Sequence, residues 1–226
     1  MTAAASPRSA LLAGATGLVG AQLLTLLQAS PRYTALHVLV RRSLQRTELD
    51  RRTVVHVVDF RALPQPLMAV DDVYVALGTT IAVAGSQQAF REVDFDHVVH
   101  TAQAARAAGA TRLAVVSALG ANPASTVFYN RVKGDMEAAV AGLGYDSVTI
   151  AQPSLLVGDR AALGQPVRRG EQWGQRVADA VPWLVPRALR PIRASTVAQA
   201  LVLSVLRGEP GVHRLSSAQM RAAGPP

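Results

Sequence analysis

The segment Gly14-Ala15-Thr16-Gly17-Leu18-Val19-Gly20 restricts the fold of this chain more than any other. It lies between an apolar run, Ala10 to Gly14, that reads as a strand and a helical periodicity from Leu18 to Gln28. Three glycines at this spacing mean little alone, but between a strand and a helix each has a definite use. The first permits a tight turn, the second lets backbone approach a pyrophosphate, and the third lets helix and strand pack closely. The start of the helix then offers free N–H groups and a favourable dipole to a phosphate. A turn that serves packing only is the alternative reading. No lysine follows the turn, which excludes a P-loop.

The rest of the chain repeats the alternation. Leu36 to Val40, Thr53 to Val58, Val73 to Leu77, Leu113 to Ser117 and Val148 to Ala151 read as further strands. Between them the spacing predicts a helix from Gln87 to Ala108, with Phe90, Val93, Val98, Ala102 and Ala105 on its apolar side. Another is predicted from Thr126 to Leu143, ended by Gly142 and Gly144. This order implies crossover helices on both faces of a parallel sheet, a doubly wound α/β fold. The chain is expected to form one domain, 1–226, in which residues 153–226 are a short elaboration over a substrate cleft. Pro166, Pro182, Pro186 and Pro191 break that elaboration, and Trp173 and Trp183, with Pro182, Val185 and Leu189, are expected to cover the cleft, with docking of a partner or a membrane surface as the alternative. A last helix is predicted from Ser195 to Gly208, followed by a weakly ordered tail from Arg214 to Pro226.

With 226 residues, half of them hydrophobic and 17% charged, the chain can bury a sizeable core. It has no cysteine, which excludes disulfides, thiolate zinc sites and cysteine nucleophiles. The net charge of +8 comes from arginines scattered between Arg8 and Arg221, and aromatics are only 4%, so no nucleic-acid partner is expected. Met1 to Arg8 lacks a signal-peptide layout, and Gly14, Thr16, Gly17, Gly20 and Gln22 interrupt the apolar run behind it. Stable membrane insertion is therefore not expected, and the cytoplasm is the expected compartment. Asp94, Asp96, His97 and His100 read as a solvated helix face, with no metal.

Two further places carry chemistry. A site selective for NAD would put an acid at the end of the second strand, for the ribose 2′-hydroxyl. Here Val40-Arg41-Arg42 stands instead, and Glu48 and Asp50 lie well past the strand. Guanidinium groups suit a 2′-phosphate, which points to NADP(H); two exposed loop arginines are the alternative. The second place is Tyr129-Asn130-Arg131-Val132-Lys133, which holds the one lysine among twenty-two arginines. The four-residue spacing puts Tyr129 and Lys133 on one helix face. A tyrosine titrates near pH 10, and a neighbouring ammonium brings it toward the range useful for acid–base work. Ser117, at the end of the fifth strand, can offer a hydroxyl beside the phenol. Separate structural roles for the three residues are the alternative.

These residues together resemble the atypical short-chain dehydrogenases/reductases, in particular the Tat-interactive-protein-like NAD(P)H-binding oxidoreductases, and the resemblance runs from Leu11 to about Leu206. It rests on the Gly14–Gly20 turn, Val40-Arg41-Arg42, Val58-Asp59-Phe60, Ala76-Leu77-Gly78-Thr79-Thr80, Val93-Asp94, Val116-Ser117 with Gly120-Ala121, Tyr129 with Lys133-Gly134-Asp135-Met136-Glu137, Pro153-Ser154-Leu155-Leu156 and Asp159-Arg160. It implies a Rossmann-type fold with NADP(H) as cofactor. Gly14, Thr16, Gly17, Leu18, Val19 and Gly20 would then meet the pyrophosphate, and Arg41 and Arg42 the 2′-phosphate. Asp59 and Phe60 would lie near the adenine, Leu77, Gly78 and Thr79 near the ribose and pyrophosphate, and Pro153, Ser154 and Leu155 beside the nicotinamide. Tyr129 would be the general acid/base, Lys133 its tuner and a ribose ligand, and Ser117 the hydroxyl that orients the substrate. Two positions depart from the pattern: Gln152 stands where many relatives carry arginine, and Asp94 near where others use a relay asparagine. The expected activity is hydride transfer with a small carbonyl or alcohol. An NADPH-sensing regulator and a nucleotide-sugar epimerase or dehydratase are the alternatives, and oligomeric state is left open.

Overall fold

The computed structural model describes residues 7–44, 49–158 and 190–223. Seven strands build the main sheet: β1 Arg8–Ala13, β2 Tyr33–Val40, β3 Thr53–Val57, β4 Asp72–Val75, β5 Arg112–Val116, β6 Ser147–Gln152 and, last in the chain, β9 Gly211–Ser216. All pair in parallel, in the order β3-β2-β1-β4-β5-β6-β9. A small parallel pair, β7 Leu156–Val157 and β8 Ile192–Arg193, brackets residues 159–189. Trp173, Trp183, Pro182, Val185, Leu189, Asp159 and Arg160 lie in that stretch, outside the described residues.

Continuous apolar strands are what a sheet covered on both faces requires. In β1, Ala10 and Leu12 join the core built with α1 (Leu18–Ala29) and α6 (Ala194–Arg207), where Leu23, Leu24, Leu27, Val197 and Leu201 pack. Leu11 and Ala13 point the other way, into the core of α4 (His97–Ala107) and α5 (Phe128–Ala141), with Val98, Ala102, Met136 and Val140. The strand order reverses beside β1: the chain winds outward through β2 and β3, then returns to start β4 on the other side. In open parallel sheets the ligand crevice lies at such a switch point, at the carboxyl ends of the strands.

Two predicted elements differ. The helix expected from Gln87 to Ala108 is interrupted: α3 (Gln87–Arg91) passes into a π-helical turn, Glu92–Asp96, before α4 begins. The wider turn changes which residues face inward, so Asp94 is buried at 1% exposure while the neighbouring Val93 is half-buried. A single π turn shifts the helical phase too little for apolar spacing to register. Of the tail expected from Arg214 to Pro226, the described part, to residue 223, is ordered instead. β9 pairs with β6 as an edge strand, and α7 (Ser217–Ala222) begins with a capping box between Ser216 and Gln219. Met220 of that helix is fully buried. An edge strand is half-solvated, so Gly211 to Ser216 lacks the apolar run that marks the inner strands. A short helix, α2 (Ile81–Ala84), capped by Thr80, completes the elements of the described residues.

Candidate cofactor-binding and catalytic site

The glycine turn closes through a hydrogen bond from the Gly17 N–H to the Gly14 carbonyl, 3.0 Å. Gly14 has φ +94°, a conformation that disfavours any side chain, and a Cβ there would lie 2.5 Å from the Ala76 carbonyl oxygen. The turn thus sits directly against the exit of β4. A Cβ on Gly20 would come within 1.9 Å of the Gly14 carbonyl oxygen, so the third glycine lets α1 pack on the turn. No side chain caps α1 at Gly17, which leaves the start of the helix open to an anion. Leu18 and Val19 bury their side chains and Thr16 is exposed. These features fit a dinucleotide pyrophosphate bound by backbone.

At the other end of the crevice, Arg41 and Arg42 emerge from β2 exposed. Asp59 follows β3; its carboxylate accepts from the Arg61 N–H at 2.9 Å. Phe60 is buried, with its ring 5.7 Å from the His97 ring. His97 and Asp94, expected on a solvated face, are both buried, whereas His100 is exposed. Burial holds the His97 imidazole below its usual range; Glu92 opposes this, and the positive charges of Arg41 and Arg61 add to it. His97 therefore shares its surroundings with Arg41, the residue expected at the 2′-phosphate, although 56 positions separate the two in the chain and no local pattern links them.

Lys133 is buried on α5, and its ammonium lies 2.7 Å from Asp94 Oδ1. Burial alone would favour the neutral amine, but the Asp94 charge, with lesser contributions from Tyr129 and Glu137, raises the lysine above its ordinary range. The second Asp94 oxygen accepts from the Thr79 N–H at 2.8 Å. A Cβ on Gly78 would stand 3.2 Å from Asp94 Oδ1 and 3.8 Å from Lys133 Nζ, so the 77–79 backbone passes directly over the pair. Tyr129, one turn before Lys133, is half-buried with its ring 5.2 Å from that of Phe90.

Ser117 leaves β5 buried and donates its hydroxyl proton to Glu137 Oε1 at 2.5 Å. Glu137 also accepts from Gln152 Nε2 at 2.9 and 3.0 Å and from Arg214 Nε at 3.0 Å. All three partners donate, as an ionised carboxylate requires. Tyr129, Lys133 and Glu137 thus follow one another at four-residue steps along α5, and Ser117 meets the last of them. In the sequence Glu137 appears only within a longer motif; its one signal was the repeat of the four-residue spacing. Arg214 was missed because it fell in the expected weakly ordered tail. Gln152, noted as a departure, fills the place of an arginine with a neutral donor while Arg214 supplies the charge.

Pro153 is buried, and its carbonyl accepts from the Leu119 N–H at 2.9 Å, which joins the exits of β5 and β6. Ser154 is held by the C-terminal part: its N–H donates to Ser217 Oγ at 2.8 Å and its hydroxyl to the Arg190 carbonyl at 2.6 Å. Leu155 and Leu77 are half-buried. Among the described residues, no group of three or more His, Asp or Glu side chains could hold a metal ion, and no helix is long and apolar enough to cross a membrane.

A family model described as NAD(P)H-binding matches residues 14–177. Protein FMP52, mitochondrial, of Lodderomyces elongisporus is 32% identical over 218 residues, which cover 91% of this chain and 90% of that protein. Protein HTATIP2 of Rattus norvegicus is 32% identical over 179 residues, 77% of this chain and 72% of that protein. Among solved structures, MoeE5 in complex with UDP-glucuronic acid and NAD superposes with a TM-score of 0.69 at 17% identity, covering 95% of this chain and 80% of that one. The structural likeness shows the shared fold. The cytoplasmic expectation is corrected by the first relative, which is named a mitochondrial protein. That expectation rested on the lack of a leader-like pattern, which says nothing positive about compartment. Match, identity and fold agree, and the chain belongs to the NAD(P)H-binding family, among the atypical, Tat-interactive-protein-like members of the short-chain dehydrogenases/reductases.

Proposed function

We propose that this protein is an NADP(H)-dependent oxidoreductase that interconverts a small carbonyl compound and its alcohol, with Tyr129 as the general acid/base. The observation that carries the reading is the buried Lys133 ammonium, held charged by Asp94 one helical turn from Tyr129 and beneath the 77–79 backbone. When bound, the cofactor supplies or accepts the hydride. In reduction the Tyr129 hydroxyl gives its proton to the substrate oxygen as the carbon gains hydride; in oxidation the phenolate takes that proton back. The Lys133 ammonium has N–H donors left for a ribose hydroxyl. Ser117 donates its proton to Glu137, so its oxygen can accept from the hydroxyl of an alcohol substrate, and holding a carbonyl oxygen requires that proton to turn away from Glu137. Arg41 and Arg42 take the 2′-phosphate.

The test is a panel of carbonyls and alcohols with NADPH or NADP, run on wild type and Tyr129→Phe. Turnover by wild type that falls about 100-fold or more in the variant, with cofactor binding intact, is expected for a lost general acid. Turnover that survives the substitution overturns the mechanism. UDP-sugars belong in the panel because MoeE5 is a fold neighbour solved with one; conversion of a UDP-sugar without net change in cofactor would favour an epimerase. Tight NADPH binding with no turnover on any substrate would favour a sensor.

A further inference from the structure

We infer that Asp94 is a positioning residue that couples the two protein segments of the cofactor site, fixing the Lys133 ammonium with one carboxylate oxygen and the Thr79 backbone with the other. The inference rests on the cofactor reading above and assigns a task to the residue that stands near the place of a relay asparagine. The geometry is specific. Asp94 projects from the π-helical turn Glu92–Asp96, a device that concentrates at functional sites because it turns one side chain out of helical phase. Its Oδ1 lies 2.7 Å from Lys133 Nζ on α5, and its Oδ2 accepts from the Thr79 N–H at 2.8 Å. Asp94 and Lys133 are 1% and 3% exposed, so water does not substitute for either partner. Gly78 packs over the pair so closely that a Cβ would stand 3.2 Å from the carboxylate. The loop expected along the ribose and pyrophosphate and the lysine expected on the ribose are therefore held by a single side chain.

An asparagine at this position would keep an acceptor for the Thr79 amide but not the charge that holds the ammonium. The Asp94→Asn and Asp94→Ala variants thus separate the two attachments. NADPH is titrated by nicotinamide fluorescence into full-length wild type, Asp94→Asn, Asp94→Ala, Lys133→Met and the two double variants, with circular dichroism as a check on folding. Asp94→Asn is expected to weaken NADPH binding about tenfold or more, within the range of coupling between residues in contact. Asp94→Ala is expected to be weaker again. In the Lys133→Met background the Asn step should disappear, while the additional Ala step, which reports the Thr79 loop, should remain. Asp94→Asn/Lys133→Met carries neither charge and keeps the test usable if Asp94→Asn alone does not fold; it should bind like Lys133→Met. NADPH binding by Asp94→Asn equal to wild type overturns the inference. So does an Asn step of the same factor in the Lys133→Met background as with Lys133 in place, because a merely structural aspartate would act independently of the lysine. If wild type itself fails to bind NADPH or NADP, the cofactor reading falls first, and that result is visible before any variant is compared.

Discussion

Glu137 shows how much one buried side chain can organise. Its carboxylate is 3% exposed and receives hydrogen bonds from Ser117, Gln152 and Arg214, contributed by three different strands or strand ends. Such bonds count for more than neutral ones because the acceptor is charged. Replacing Glu137 by Gln keeps the volume and removes the charge, and it forces an amide N–H₂ against donors. We expect a loss of about 1.5–3 kcal/mol in urea-induced unfolding, the worth of a hydrogen bond to a charged group. Unchanged stability would mean that the Arg214 contact, on a side chain that is 48% exposed, is dispensable. The glycines of the turn were legible at this scale, since only a missing Cβ satisfies both Gly14 at φ +94° and the contact of Gly20 with the Gly14 carbonyl. Glu137 was not, because its partners are 15 to 77 residues away in sequence.

Among the elements, the β2–β3 pair carries an unusual contact. His37 on β2 and His56 on β3 lie diagonally, two register positions apart, with ring nitrogens 3.0 Å apart. One must donate and the other accept, so the two rings cannot both carry a proton on the facing nitrogens. Burial holds the His37 imidazole below its usual range, and the nearby His56 adds to this. The sign follows from linkage: an imidazole that resists protonation in the fold takes up protons on unfolding. Its contribution to stability is complete above the unfolded imidazole pKa of about 6.5 and falls as pH drops below it. His97 is depressed in the same sense. The thermal midpoint of wild type should therefore decline between pH 7.5 and 5.5, above the range where carboxylates titrate. His37→Gln should flatten part of that decline; an identical decline in the variant would show that the pair contributes nothing. The elements themselves were mostly legible as runs of apolar residues. The interrupted helix after Gln87 was not, because a π turn leaves the composition of the helix unchanged. The β9 edge was missed because a strand paired on one side needs only half an apolar pattern.

The complete sheet sets the reach of the site. In the proposed function, a dinucleotide along the switch point would extend from the exit of β2, with Arg41 and Arg42, to α5 with Tyr129 and Lys133. Cofactor choice would then be made at one end and proton transfer at the other. Arg41→Ala/Arg42→Ala is expected to weaken NADPH binding by about 10- to 100-fold, from the loss of charge-assisted bonds worth about 1.5–3 kcal/mol. NADH binding should change little. Parallel titrations of both cofactors decide the point, and a preference that does not move would remove the arginine argument for NADP(H).

Local sequence was enough to specify the parallel doubly wound sheet, the tight glycine turn after β1 and the placing of Tyr129 and Lys133 on one helix face. Each of these depends on residues close together in the chain: a strand next to a turn, a glycine beside a glycine, two side chains one helical turn apart. Packing of distant elements was needed to bury Lys133 against Asp94, to let Asp94 also grip Thr79, and to give the Ser117 proton a carboxylate anchored by Arg214 from the last strand. The physical reason is that a buried charge is tolerated only where partners from separate elements converge on it, and that convergence is a property of packing, with no periodicity to announce it.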